Sequence, residues 1–292
     1  MATNQMRREA AKRKLERQQQ RRVEQTKRRQ RVAIITSASV VVVVVVAVVL
    51  LSTLTGGGTT PPAAAPTAAP PTSAAPVTPV VPAAIPSAIA PLPKRPTPLP
   101  ASVSCEYAPE SQPAAKPVQP PTGTGVSATG TTTVTLQTNS GAIPLTLDKA
   151  LAPCTVNSMV SLAQQGYFDS TSCHRLTTDP GLQVLQCGDP SGSGSGGPGY
   201  TVPDEYFPEL TYGRGILAMA NTGQPNSGGS QFFMVYGDGQ LPPKYTAFGS
   251  ISPEGLSVVD AIATRGHNGA FDPSPGGGEP IEPVTIEKAT VS

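Results

Sequence analysis

The 292-residue chain lacks the patterns on which hydrolases and metalloenzymes depend. It has no tryptophan, only two histidines and four cysteines, and the cysteines form neither a CxxC motif nor a Cys/His cluster. A nucleophile elbow and a zinc motif are also missing. These absences argue against a serine or metal hydrolase, and we expect neither a metal ion nor another cofactor.

Charged residues are few, 14% of the chain, and they are unevenly distributed. Residues 1–31 hold 12 of the 21 Lys and Arg but only 3 of the 19 Asp and Glu, which gives this leader a net charge of +9 and the rest −7. The leader has no aromatic or base-reading pattern, so we expect no specific nucleic-acid recognition. Attraction to anionic lipid and an influence on membrane orientation explain the charge better.

Residues 32–54 predict a single transmembrane helix. The segment has no charge and no proline, and its 23 residues suffice to cross a hydrocarbon core of about 30 Å. It exceeds the roughly 7–15 apolar residues of a signal peptide, which is the alternative interpretation. Basic residues precede the segment and none follows for dozens of positions, so we expect residues 1–31 in the cytoplasm and the remainder outside, anchored to the cell membrane.

A proline-rich segment follows, with nineteen prolines between Pro61 and Pro121. Proline lacks a backbone donor and fixes φ, so the composition predicts a disordered extracytoplasmic stalk over residues 55–127. Cys105 and Tyr107 are unusual there, which leaves open whether this part docks on the folded domain and where between 120 and 128 the boundary lies.

From Gly130 onward the pattern is that of a folded, mainly β domain over residues 128–292. Alternating residues on either side of Asn139-Ser-Gly predict a hairpin, and Thr155 is expected to cap a helix that ends at Gly166. A second helix is expected over 253–265 and a last strand from Val284. Many short strands, glycine-rich turns and two helices favour a closed antiparallel barrel with helical caps.

Four stretches of this domain carry a resemblance to a known family. In chain order they are His174-Arg-Leu, Gln186-Cys-Gly-Asp with the glycine loop after it, Ala218-Met-Ala-Asn with Asn226-Ser-Gly-Gly-Ser-Gln-Phe-Phe, and Leu241 to Gly249. They resemble the cyclophilins, the peptidyl-prolyl cis-trans isomerases, over about 165 residues. The anchored, proline-stalked layout is similar to the membrane-tethered cyclophilins of high-GC Gram-positive bacteria. The resemblance implies a closed eight-stranded antiparallel barrel capped by two α-helices.

The resemblance also implies three catalytic residues and a set that binds substrate. Arg175 would direct its guanidinium at the nitrogen of a twisted Xaa-Pro amide, Gln186 would steady it, and Phe233 would form the floor of the proline pocket. The substrate-binding residues would be Val184 and Leu241 as walls, Asn221 through its backbone, Gln231 further along the groove and Tyr245 over the proline ring. The implied partners are proline-containing polypeptides, and the implied role is to assist the folding of exported proteins.

The chain departs from the family pattern at three places. About three extra residues between Arg175 and Gln186 leave open whether Val184 or Leu182 forms the pocket wall. Gln240 stands where eukaryotic members often have tryptophan, which implies weak binding of cyclosporin. Tyr245 replaces a frequent histidine, although its ring could still cover the proline.

Strand alternation leads to expectations for the residues around Arg175. His174 should point away from Arg175 and be a buried, hydrogen-bonded histidine. If Arg175 and Gln186 share a face, Cys173 shares it too and Cys187 points inward, which disfavours a bridge between these cysteines. We expect Cys105 to pair with either Cys154 or Cys173, since disulfides form outside the cytoplasm.

A competing hypothesis is a non-catalytic module that holds proline-containing segments, with chaperone activity. The presence of Arg175, Gln186 and Phe233 argues against it, whereas the changes at Gln240 and Tyr245 leave it open. Loss of isomerase activity on replacing Arg175 would separate the two.

Overall fold

A computed structural model describes residues 77–292, all of which belong to one compact unit. The predicted leader, the predicted transmembrane segment at 32–54 and the first part of the predicted stalk, residues 55–76, lie outside the described residues. Within 77–292 neither helix combines the length and apolar character that crossing a bilayer requires.

The described part of the chain contains eleven strands and two helices. In chain order they are β1 (Ser102–Val103), β2 (Val126–Ser127), β3 (Thr131–Thr138), β4 (Gly141–Asp148), α1 (Pro153–Gln164), β5 (Thr171–Ser172), β6 (Arg175–Leu176), β7 (Leu182–Cys187), β8 (Ile216–Met219), β9 (Phe232–Gly239), β10 (Ala247–Ile251), α2 (Pro253–Arg265) and β11 (Thr285–Val291).

Nine strands form one antiparallel sheet in the order β5-β11-β3-β4-β10-β8-β9-β7-β6, and β1 pairs separately with β2. The edge strands β5 and β6 are joined by only two residues, Cys173 and His174, so the sheet must curl until its edges approach. The mainly β architecture with two helices is confirmed.

The expected closed barrel of eight strands is wrong, because the sheet has nine strands and its hydrogen-bond ladder ends at β5 and β6. The edge of β6 that faces away from β7 pairs with the loop after α2 instead of with β5. Leu176 exchanges backbone hydrogen bonds with Gly278, with N···O distances of 2.8 and 3.0 Å. The loop after α2 therefore occupies the position where β5 would have to pair to close the barrel.

Local sequence signals explain the predicted hairpin and the second helix, and both are confirmed. The β3–β4 hairpin turns at Asn139-Ser140, and its alternating apolar side chains, such as Leu136 and Leu145, are fully buried. Helix α2 has the expected bounds, with the Ser252 hydroxyl accepting the Gly255 N–H at 3.1 Å as an N-cap. It ends at Gly266, whose φ of +80° favours glycine.

Helix α1 begins differently from the prediction. Its N-cap is Ala152, which provides no side-chain cap, and Thr155 lies in the first turn. The carboxylate of Glu205 accepts the N–H groups of Cys154 and Thr155 at 2.9 and 2.8 Å and the Thr155 hydroxyl at 2.8 Å. The cap is therefore contributed by a residue fifty positions away, which a local pattern cannot reveal.

The segment of residues 77–127, called here the strap, lies against the domain, whereas a disordered stalk was expected. Val80 and His267 exchange backbone hydrogen bonds with N···O distances of 2.9 and 3.0 Å, and the Ala90 N–H donates to the Arg214 carbonyl at 2.8 Å. Proline provides no N–H itself, but residues between the prolines form individual backbone hydrogen bonds with the surface of the domain. The folded unit thus extends N-terminally well beyond the expected boundary at 128.

Long cationic side chains fasten the strap at two further points. Arg95 donates to the carbonyls of Leu151 and Glu205 at 2.8 and 2.6 Å, and its guanidinium lies 5.4 Å from the ring centroid of Phe207. Lys116 donates to the Gly166 carbonyl at 2.6 Å. Both cations lie at backbone carbonyls near the ends of α1.

Two disulfides complete the fold. Cys105–Cys154 ties the strap to α1, which is one of the two pairings expected for Cys105. Cys173–Cys187 also forms, so the expectation that geometry disfavours this bridge is wrong. Cys173 precedes β6 and lies in the link from β5, so strand alternation counted back from Arg175 does not apply to it.

The apolar side chains form two clusters. The larger is buried between the sheet and the helices and contains the packed aromatic rings of Phe168 and Phe232, 5.8 Å apart at their centroids. The smaller includes Val184, Tyr212 and Phe233 and lies beneath the cleft described next.

Candidate active site

Three adjacent strands align Arg175, Gln186 and Phe233 in one row. Arg175 is the register partner of Gln186 across β6 and β7, and Gln186 is the partner of Phe233 across β7 and β9. Residues directly opposite each other on antiparallel strands point to the same face. All three side chains consequently line one cleft with a volume of about 520 Å³.

The guanidinium of Arg175 is fixed by three acceptors. Nη1 donates to Oε1 of Gln186 at 3.1 Å, Nη2 to the Pro275 carbonyl at 2.9 Å, and Nε to the Gly276 carbonyl at 2.9 Å. Since each terminal nitrogen carries two N–H groups, each retains one for a ligand in the cleft. Anchoring at three points leaves the cation oriented before any ligand arrives.

Partial burial lowers the pKa of the Arg175 guanidinium below its ordinary value, while Tyr245, Asp179 and Asp272 act in the opposite direction. A guanidinium nevertheless stays charged at neutral pH. The cleft thus contains a permanent positive charge beside an apolar floor.

Gln186 connects Arg175 to the glycine-rich loop through Gln231. Nε2 of Gln186 donates to Oε1 of Gln231 at 2.9 Å, and Nε2 of Gln231 donates to the carbonyls of Gly194 and Gly196 at 3.0 Å each. Gln231 lines an adjoining cleft rather than the one that contains Arg175. Gln231 therefore lies further along the groove, beyond the row of Arg175, Gln186 and Phe233.

Phe233 forms the apolar floor and contacts Tyr245 edge to face. Their ring centroids are 5.6 Å apart at an interplanar angle of 83°, and Phe233 is only 5% exposed. Val184 and Leu241 also line the cleft. These side chains form an apolar slot directly beside the guanidinium.

Tyr245 is held in place by Tyr212. The Tyr212 hydroxyl donates to the Tyr245 carbonyl at 2.7 Å and accepts its N–H at 3.0 Å. Burial raises the pKa of Tyr212 to about 12, so the hydroxyl keeps the proton it donates. The backbone of Tyr245 is therefore fixed where its ring meets the cleft.

The glycine-rich loop after β7 is organised around the buried carboxylate of Asp189. It accepts the Ser191 N–H and hydroxyl at 2.7 Å each and the Gly196 N–H at 3.0 Å. These hydrogen bonds hold the pKa of Asp189 below its ordinary value although burial acts in the opposite direction. Gly188 precedes it at φ +93°, and a Cβ there would collide with the Ser230 carbonyl.

A family profile described as "Cyclophilin type peptidyl-prolyl cis-trans isomerase/CLD" matches residues 133–291, which is more than half of the chain. The chain belongs to this family. The curated "Probable peptidyl-prolyl cis-trans isomerase B" of Mycobacterium leprae is 48% identical over 198 residues, and the protein so described in Mycobacterium tuberculosis is 50% identical over 196. Each alignment covers 63% of this chain but only 65% and 62% of the relatives, which is less than two thirds of their length.

Among solved structures, a Cryptosporidium parvum cyclophilin type peptidyl-prolyl cis-trans isomerase is similar at 30% identity. The alignment covers 56% of this chain and 98% of that one, with a TM-score of 0.46.

In this cyclophilin-type chain the open question of Val184 or Leu182 has a simple answer, because both line the cleft. They are alternate residues of β7 and therefore share a face. The ladder between β7 and β9 shifts register between them, with the additional residues on the β9 side.

Asn221 lines both clefts, and its side chain is used internally. Nδ2 donates to the Lys244 carbonyl at 2.8 Å, and Oδ1 accepts the Gly223 N–H at 3.0 Å. Within residues 77–292, the backbone N–H and C=O of Asn221 form no hydrogen bond. The backbone N–H and C=O of Asn221 are therefore available to a ligand in the cleft.

The family motifs did not indicate the contribution of the loop after α2. Phe271 and Pro275 line the cleft, and the carbonyls of Pro275 and Gly276 hold Arg175. The loop lies about a hundred positions after Arg175 and consists mainly of proline, glycine and acidic residues. The backbone exchange between Leu176 and Gly278 and the hydrogen bond of 3.0 Å between the Thr178 hydroxyl and Nε2 of His267 hold it at the site.

The expectations for His174, that it is hydrogen-bonded and points away from Arg175, are wrong. It is buried, as predicted, but neither ring nitrogen has a hydrogen-bond partner in the described part of the protein. It lines the same cleft as Arg175 instead of pointing away, since it lies in the link before β6 where alternation does not hold. Burial lowers its pKa below the ordinary value, Asp189 acts in the opposite direction, and Arg175 adds a smaller lowering effect.

Proposed function

We propose that this chain is a peptidyl-prolyl cis-trans isomerase acting on proline-containing polypeptides. The observation that carries the proposal is the row of Arg175, Gln186 and Phe233, which sets an oriented guanidinium beside an apolar slot. Membership of the cyclophilin-type family and the descriptions of its mycobacterial relatives support it.

The reaction requires no bond to be broken. Rotation about an amide is opposed by the double-bond character of its C–N bond, with a barrier of about 18–20 kcal/mol. In the twisted transition state the nitrogen regains a lone pair that can accept a hydrogen bond. A site that binds this form better than either planar isomer lowers the barrier.

In this proposal the apolar slot of Phe233, Val184 and Leu241 holds the proline ring, with Tyr245 at its side. A remaining N–H of Arg175 donates to the twisted nitrogen. Gln186 keeps the guanidinium in place, and the free backbone of Asn221 holds the polypeptide chain on the far side of the proline ring. Because these groups are oriented before binding, little reorganisation is needed during rotation.

The test is a protease-coupled assay on Xaa-Pro peptides with the full-length chain. We expect the cis-to-trans rate to rise in proportion to enzyme concentration. Binding of the peptides without any acceleration would instead favour a non-catalytic module that holds proline segments.

We also propose that cyclosporin binds weakly. Gln240, the residue expected at the position of a frequent tryptophan, is exposed and provides no indole for the drug to pack against. Replacing Gln240→Trp should lower the inhibitory concentration of cyclosporin, and an unchanged value would contradict this proposal.

We further propose that residues 32–54 anchor the protein in the cell membrane, with residues 1–31 in the cytoplasm and the isomerase domain outside, where it assists the folding of exported proteins. Two disulfides support an oxidising compartment for the domain. With the strap on the domain, the spacer would be limited to residues 55–76. Protease added to intact cells should degrade the domain, and protection of the domain would contradict the topology.

A further inference from the structure

A second cleft of about 400 Å³ adjoins the first. Four residues line both clefts: Gln186, Gly194, Ala220 and Asn221. A polypeptide held in the first cleft would therefore continue across this common border into the second.

Part of the wall of the second cleft comes from the strap. Glu110 and Gln112 line it together with the glycine loop. The Glu110 N–H donates to the Gly199 carbonyl at 2.9 Å, and Nε2 of Gln112 donates to the Ser195 carbonyl at 3.3 Å. The strap thus adds side chains to a groove whose other walls belong to the family-matched region.

This wall is attached to the domain on both sides. The Cys105–Cys154 disulfide fixes the strap five positions before Glu110, and the Ala115 N–H donates to the Gly197 carbonyl at 2.9 Å five positions after it. The position of Glu110 at the groove is accordingly determined by covalent and backbone contacts, and its own side chain is not needed to hold it.

Glu110 is the one charged residue among those that line the second cleft. The other lining residues offer hydroxyls, amides and glycine backbone. Within residues 77–292 the Glu110 carboxylate has neither a salt-bridge partner nor a hydrogen-bond donor. An exposed carboxylate in a polar groove, with no cation of its own, is complementary to a cationic side chain of a ligand.

We propose that Glu110 is a specificity-determining residue that favours substrates with a Lys or Arg near the isomerised proline, at the position that enters the second cleft. This inference rests on the proposed isomerase function, whose substrate class it narrows. An exposed ion pair is weak, so the preference over a neutral side chain should be about two- to fivefold in kcat/KM at low salt. It should decline as ionic strength rises, because added salt screens exposed charges.

The experiment compares matched peptides that differ at one position. Each peptide has one Xaa-Pro bond and carries either Lys or norleucine at one of the three positions before or after the proline. The full-length wild type, Glu110→Gln, Glu110→Lys and Glu106→Gln are assayed at low and high salt. Glu106 is the matched control, because it is an exposed glutamate of the same strap that lines neither cleft.

We expect one placement to give a Lys-to-norleucine ratio of about two to five in the wild type and in Glu106→Gln. In Glu110→Gln the ratio should fall to about one, and in Glu110→Lys it should invert. A ratio near one at every placement in the wild type overturns the inference, as does a preference that persists in Glu110→Gln. Activity on the norleucine peptides tests the isomerase itself, so its absence would mean failure of the proposed function, whereas activity without a lysine preference would leave that function standing.

Discussion

Arg175 and Gln186 are direct register partners across β6 and β7, and their side chains are joined by a hydrogen bond of 3.1 Å between Nη1 and Oε1. Backbone pairing and side-chain contact therefore reinforce each other at this point. The guanidinium is oriented by the sheet on one side and by the carbonyls of Pro275 and Gly276 on the other.

Replacing Arg175→Ala should lower kcat/KM for an Xaa-Pro peptide by about a hundredfold or more, because in the proposed mechanism it removes the donor to the twisted amide nitrogen. Arg265→Ala is the control, because Arg265 is exposed and pairs with Glu282 on the surface. The control should keep wild-type activity. Unchanged activity of Arg175→Ala in the protease-coupled assay would refute the catalytic role.

Replacing Gln186→Ala should lower kcat/KM by about tenfold, because a hydrogen bond to a charged group is lost. The effect should be smaller than that of Arg175→Ala, since the carbonyls of Pro275 and Gly276 still hold the guanidinium. In the double variant the two losses should not add, because Gln186 acts through Arg175. Full additivity would show that the two residues act independently.

Replacing Cys105→Ser should lower the free energy of unfolding by about 4 kcal/mol, because the bridge closes a long loop of the unfolded chain. The sequence separation is 49 for Cys105–Cys154 and 14 for Cys173–Cys187, so Cys173→Ser should cost less, about 3 kcal/mol. Urea unfolding without reductant measures both. If reductant abolishes the difference between Cys105→Ser and wild type, the bridge is responsible; a difference that persists would assign it to the substitution itself.

The free energy of unfolding should decrease as the pH falls below about 6.5, the ordinary pKa of histidine. Burial lowers the folded-state pKa of both His174 and His267. Between the lowered value and 6.5 the unfolded chain binds more protons, so stability rises with pH there and is lost on acidification. Each histidine contributes a slope of up to about 1.4 kcal/mol per pH unit.

A hydrogen bond of His267 gives a structural reason why the free energy of unfolding should fall on acidification. Nδ1 of His267 accepts the Gly269 N–H at 3.0 Å, which requires that nitrogen to be unprotonated. His174 and His267 are the only two histidines of the chain. In a double variant, His174→Gln with His267→Gln, the urea concentration at the unfolding midpoint should therefore depend less on pH between about 5.5 and 7. An equal slope in the variant would assign it to other groups.

Much of the candidate site could be predicted from sequence. The row residues and most of the substrate-binding set lie in motifs whose order along the chain is preserved, and the structure brings them to one cleft, with Gln231 in the adjoining one. Counting alternation from Arg175 failed for Cys173 and His174, because β6 is only two residues long and both lie outside it. Alternation holds only within a strand.

Apart from the pairing expected for Cys105, the docking of the strap could not be predicted. Proline-rich composition excludes regular helix and sheet, but it contains no information about whether single backbone groups between the prolines find partners elsewhere. Those partners, such as the carbonyls of Gly199 and Arg214, lie about ninety to a hundred and twenty-five positions away in the chain. Glu110 reaches the groove through such backbone contacts and through the Cys105–Cys154 disulfide.

By itself, the sequence determined the mainly β domain and the helices, because periodicity and motif spacing are local properties. The resemblance of its motifs to a family implied the guanidinium beside an apolar slot. Only the tertiary structure revealed that the sheet has nine strands and stays open between β5 and β6, that Cys173 pairs with Cys187, that the strap docks on the domain and that the loop after α2 holds Arg175. Each of these depends on contacts between distant parts of the chain, which are set by how the sheet curls and leave no periodic trace in the sequence.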